Sequence, residues 1–177
     1  MRKVGGVLLA VAMVLPIGLI TAGPAGAATG LTCTKLGGTV TLSPAVPKTG
    51  AGHSNITLKA TLFGCTGTAK IVSGVMALPV IKTAPSRNCT TVATQPPTLT
   101  QTGGVITWAT TKTKSTLGKI TLAPVPKTLA TYKATAKVTK GQFLNKTLTM
   151  TATFKGNGCP LKSATLALKK GTKAIIK

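Results

Sequence analysis

The sequence contains no aspartate and no glutamate in 177 residues. Glycoside hydrolysis by paired carboxylates is thereby excluded, since one acid must protonate the leaving group while a second acts as base or nucleophile. The same absence removes Ser-His-Asp triads, two-metal sites and the oxygen cages that hold calcium or magnesium. Histidine occurs once, as His53 beside Ser54. A loop imidazole with no acid to orient it reads as structural or solvent-exposed. No C-x-x-C pair is present, so a zinc site lacks ligands. Lysines do stand near Ser73, Ser86, Ser115 and Ser163, but with 22 basic residues such proximity is expected by chance. Neither a Gly-x-Ser-x-Gly elbow nor a Ser-x-x-Lys motif occurs. The Gly-Gly pairs at 37–38 and 103–104 precede strands rather than helices, which argues against a phosphate-cradling loop. Aromatic residues make up only 3% of the chain. Trp108, Tyr132, Phe63, Phe143 and Phe154 all read as core, leaving little for base stacking. These absences together predict a protein that is not an enzyme and that needs no cofactor or metal.

What is present begins with Arg2-Lys3, an apolar run from Val4 to Ile20, and small residues ending in Ala25-Gly26-Ala27. This is the pattern of a signal peptide over residues 1–27, cut before Ala28. Pro16, the small-residue flank and the missing lipoprotein-box cysteine argue against an uncleaved anchor. No later run approaches the roughly 18 apolar residues that span a bilayer, so no transmembrane segment is expected in the mature chain. Residues 28–177 are enough for a single domain with a core. The four cysteines, Cys33, Cys65, Cys89 and Cys159, form an even set in an exported chain and predict two disulfides. Of the three connectivities, Cys65–Cys89 with Cys33–Cys159 is favoured, the first closing a local loop and the second tying the N-terminal segment to the last third.

The clearest periodicity runs from Thr131 to Phe154. Leu148, Met150, Ala152 and Phe154 share one face of a strand and Thr147, Thr149, Thr151 and Thr153 the other. Tyr132, Ala134, Ala136 and Val138 alternate in the same way with Lys133, Thr135, Lys137 and Thr139, and Lys140-Gly141 supplies a turn. Further strands are expected at 39–43, 55–65, 70–78, 105–110, 116–123, 163–168 and 173–176, punctuated by Gly and Pro. The facing of 70–78 is ambiguous because both registers carry apolar residues. Residues 84–103 read as irregular, and Trp108 as the core anchor. With 43% hydrophobic residues and strong alternation, disorder driven by net charge is rejected. The expected fold is all-β, an antiparallel two-sheet sandwich of about 8–9 strands, with a closed barrel as runner-up. The echo of TLSPAVPKT (41–49) in TLAPVPKT (121–128) reads as two similar corners rather than a duplication.

The order of GGTVTLSP near the first cysteine, TLFGC at 61–65, GGVITW in mid-chain, VTKGQF at 138–143, a late cysteine and a final SATL resembles a family of exported actinobacterial proteins without an assigned activity. The resemblance spans the mature chain, although each piece is strand-and-turn grammar. It implies an immunoglobulin-like β-sandwich from a Gram-positive bacterium and no catalytic residues. A bacterial source makes the Asn-x-Thr sequons at Asn55, Asn88 and Asn145 incidental. The lysine load and missing acids depart from the family pattern.

Charge is the positive signal. The formal net charge is +22, and no acidic side chain consumes it. Lys59, Lys133 and Lys137 are expected on outward strand faces, and Lys169, Lys170, Lys173 and Lys177 at a basic C-terminal end. Lys112 and Lys114 load a loop. Such a surface predicts salt-sensitive, weakly selective binding to polyanions. Candidates are anionic wall polymers, acidic polysaccharide, anionic lipid headgroups and, non-specifically, nucleic acid. The alternative is a structural or self-associating surface protein whose lysines serve only solubility.

Overall fold

The computed structural model describes residues 30–50, 52–67, 70–82, 88–94, 97–126, 128 and 130–177. The expected signal peptide and Ser86 lie outside the described residues. The strands are β1 (Leu31–Val46), β2 (Asn55–Gly67), β3 (Ser73–Ala77), β4 (Ile81–Lys82), β5 (Leu99–Trp108), β6 (Lys114–Pro124), β7 (Thr131–Gly141), β8 (Thr147–Gly156), β9 (Leu161–Leu168) and β10 (Ala174–Ile176). One short helix, α1 (Cys89–Thr94), lies between β4 and β5. It falls inside the stretch expected to be irregular.

Every ladder is antiparallel, and β1, β2, β3, β5, β6, β7, β8 and β9 each pair with the next in that order, β9 returning to β1. The eight strands close into an up-and-down barrel. This corrects the expected immunoglobulin-like two-sheet sandwich. Both architectures require the same alternation of inward and outward residues, so periodicity does not separate them. The decisive element is β1, 16 residues long, where only 39–43 was expected. It pairs with β2 from Leu31 to Ser43 and with β9 from Gly37 to Val46. Pairing on both sides removes the sheet edges that a sandwich would leave.

Closure at the lower end is completed by β10. Where β9 no longer reaches, β10 pairs with Leu31–Cys33 of β1 and with Leu148 and Thr149 of β8. β9 and β10 therefore behave as one interrupted strand, and Lys169–Lys173 is an excursion from the barrel wall. Thr172 fastens this excursion, its Oγ1 donating to Lys169 O at 2.7 Å and to Thr151 O at 3.2 Å.

Inside the barrel the expected apolar faces of β2, β7 and β8 are buried, including Leu58, Ala60, Leu62, Ala134, Ala136, Val138, Leu148, Met150 and Ala152. In β3 the ambiguity resolves with Gly74 and Met76 inward and Val75 outward. A plug fills the lower end. Trp108, fully buried, meets the Phe143 ring edge-on at 5.5 Å. Its Nε1 donates to Ser115 Oγ at 2.9 Å, and that hydroxyl donates to Gln142 O. Phe63, expected in the core, is instead 44% exposed; it lies one residue out of phase with inward Leu62, on the outer wall.

The disulfides join Cys33 to Cys65 and Cys89 to Cys159. This corrects the favoured Cys65–Cys89 and Cys33–Cys159 pairing. Cys33 and Cys65 are opposite each other in the β1–β2 ladder, a proximity set by strand register rather than by loop length. The two bonds suit an oxidising compartment.

Candidate functional site

The expected polyanion-binding lysines can now be placed. On β7, Lys137 stands opposite Thr147 of β8 and Lys133 opposite Thr151. On the far side of β8, Thr147 exchanges backbone hydrogen bonds with Lys177 at 2.8 and 3.2 Å, and Lys169 N donates to Thr151 O at 2.9 Å. The outward threonines Thr147, Thr149, Thr151 and Thr153 thus form a row bordered by lysines on both sides. Lys170 and Lys173 belong to the excursion on the same flank, and both are exposed. Lys133 and Lys137 are four residues apart on one strand, about 13 Å. Each carries its charge outward, and no side-chain carboxylate exists to neutralise either.

Six of the seven expected lysines share this flank. The seventh, Lys59, is exposed on β2, four strands from β7 in either direction around the barrel. The structure sets it on the opposite wall, near exposed Phe63 and Val75. The β7–β8–β10 side thus gathers six lysines, whereas the β1–β3 side carries three exposed ones, Lys59, Lys35 of β1 opposite Phe63, and Lys70 just before β3, together with exposed Phe63 and Val75. Lys112, between β5 and β6, and Lys114, the first residue of β6, sit at the lower end, and both are exposed.

At the upper end the interior is open among the described residues. A cavity of about 590 Å³ is lined chiefly by Val40, Leu42, Ile56, Leu58, Leu99, Leu122, Tyr132, Phe154 and Leu161. Tyr132 and Phe154 meet edge-to-face at 5.1 Å on its wall. One side of the rim is α1, which sequence reasoning missed. Asn88 caps it reciprocally with Thr91, since Thr91 N donates to Asn88 Oδ1 at 2.9 Å and Asn88 N donates to Thr91 Oγ1 at 3.1 Å. Cys89 N also donates to Pro47 O at 2.9 Å, and the Cys89–Cys159 disulfide ties the helix to the β8–β9 turn. The N-x-x-T spacing was the signal available in the sequence. Both TLSP and TLAP corners leave the barrel at this end, because β1 and β6 run in the same direction.

Two of the serines considered for catalysis take structural places. Ser115 is buried in the Trp108 plug, and Ser163 Oγ accepts from Asn157 Nδ2 at 3.1 Å. His53 is exposed in the β1–β2 connection. Among the described residues no helix is long and apolar enough to cross a membrane. Comparison with family models, with curated proteins and with solved structures finds no match.

Proposed function

We propose that this protein is a non-enzymatic, exported cationic barrel that attaches to polyanions of a Gram-positive envelope, or to extracellular polyanions, through its β7–β8–β10 flank. The observation that carries this reading is the convergence of Lys133, Lys137, Lys169, Lys170, Lys173 and Lys177 around the outward threonine row of β8. Like charges gathered on one flank repel one another, and a polyanion relieves that repulsion while releasing its own counterions. Lysine offers point charges rather than bidentate forks, so the contact discriminates by charge density more than by chemical identity. Teichoic-type polymer, acidic polysaccharide, anionic headgroups and DNA all qualify. The test is binding of the oxidised protein to purified anionic wall polymer and to duplex DNA across a salt series. Affinity that falls linearly on a log–log plot supports attachment. Absence of binding at low salt would return the lysines to a solubilising role on a structural surface protein.

A further inference from the structure

The plugged floor and open mouth make the barrel a cup, and nothing in the polyanion reading uses its interior. Below, Ile106, Trp108, Val138 and Leu148 are each at most 2% exposed. Above, Leu42, Leu99, Tyr132 and Phe154 pack against the same core yet remain only partly buried, and all four face the cavity. An eight-stranded barrel is just wide enough either to fill with side chains or to hold one small ligand. Here the lower half does the first and the upper half leaves room. Ala164, inward on β9 where a larger residue would fill the space, marks the difference. The volume of about 590 Å³ falls within the ~300–1,000 Å³ usual for small-molecule pockets.

Polarity narrows the class of ligand. Among the described residues Lys48 is the one charged residue lining the cavity, and the chain has no acidic side chain to pair with it. An anionic head finds a partner there and no repulsion, whereas a cationic head finds only like charge. The capped helix and the Cys89–Cys159 bond hold the rim in place before any ligand arrives, which lowers the ordering cost of binding.

We propose that the upper mouth binds a single-chain amphiphilic carboxylate, alkyl chain inward against Leu58, Leu122 and Phe154 and carboxylate at Lys48. The proposal does not depend on the outer lysines. It is tested by calorimetric titration of the oxidised full chain with dodecanoate, dodecan-1-ol and dodecyltrimethylammonium below their micelle concentrations. Saturable one-to-one binding of dodecanoate with a negative heat-capacity change is expected. Dodecan-1-ol should bind about 2- to 5-fold more weakly, the scale of a solvent-exposed ion pair. Lys48→Gln should bring the acid down to the alcohol, and the cation should bind more weakly than the alcohol. Ala164→Phe should weaken dodecanoate at least about tenfold, the effect of evicting two methylenes from apolar contact. Leu161→Trp, at a half-exposed rim position, serves the same purpose if the interior substitution disturbs folding, which near-ultraviolet circular dichroism of Trp108 reports. Absence of saturable binding overturns the proposal. So does dodecanoate binding that is indifferent to the cavity variants, because it would reveal attraction to the lysine surface alone.

Discussion

Trp108 shows how much depends on single residues at the barrel floor. Its indole N–H is removed from water and donates to Ser115 Oγ at 2.9 Å. Ser115→Ala strands that donor, and an unsatisfied buried donor costs about 1–3 kcal/mol. Equilibrium urea unfolding should show that loss, whereas Ser163→Ala, at a half-buried surface position, should be close to neutral. Gly74 is constrained by the same ring: a Cβ there would run into Trp108 and Ile106 side chains. Gly74→Ala should therefore destabilise by about 1–3 kcal/mol through overpacking, checked in the same unfolding experiment. Trp108 was legible as an anchor because it lies in phase with Ile106. Phe63 was misplaced for the complementary reason. Its aromatic character suggested core, but the inward phase of Ile56, Leu58, Ala60 and Leu62 already pointed it outward.

At the scale of elements, alternation located β2, β7 and β8 closely, because each carries four apolar residues on one face, and β6 from Ile120 and Leu122 alone. It truncated β1. Gly37-Gly38 looked like a strand start, whereas Gly38 lies within the strand where a Cβ would collide with the backbone of Lys59 and Ala60 on β2. The helix was invisible for another reason: six residues are too few for a helical period, and only its cap identifies it. The disulfide pairing was illegible because it follows ladder register and the position of α1, both non-local. That pairing makes a prediction. Replacing Cys89 and Cys159 together by serine opens a link of sequence separation 70, and loop-closure entropy puts the loss at up to about 4 kcal/mol. Since the eight-strand ladder does not pass through this bond, limited proteolysis should cut first at residues 88–94, with the barrel strands protected. Uniform cleavage throughout β1–β9 would contradict a barrel that closes independently of its rim.

For the whole molecule, closure was the part the sequence could not reveal. Sheet stacking and sheet closure place the same residues inside, and the choice rests on whether β9 returns to β1. The Thr and Lys rows were legible, but their gathering around β8 needed the β9–β10 excursion, which brings Lys169 and Lys170 alongside β8 on the edge away from β7. Composition makes one global prediction. Acid unfolding is driven mainly by protonation of carboxylates whose folded-state pKa is depressed, with stability lost as pH falls through that value. This chain has no Asp or Glu, so that contribution is absent. Thermal midpoints should change little from roughly pH 5 to pH 2, as circular dichroism would show, and a cooperative acid transition in that window would contradict it.

The most direct test of the central claim compares two variants of equal net charge. One is Lys133→Gln/Lys137→Gln/Lys169→Gln, from the basic flank; the other is Lys35→Gln/Lys59→Gln/Lys70→Gln, from the β1–β3 side. The measurement is the slope of log affinity against log salt on duplex DNA, with anionic wall polymer in parallel. If the flank is the binding surface, the first variant loses about 2 to 3 units of slope while the second keeps the parent value. Equal slopes for the two variants would mean that the lysines act through net charge alone, and would contradict a localised polyanion site.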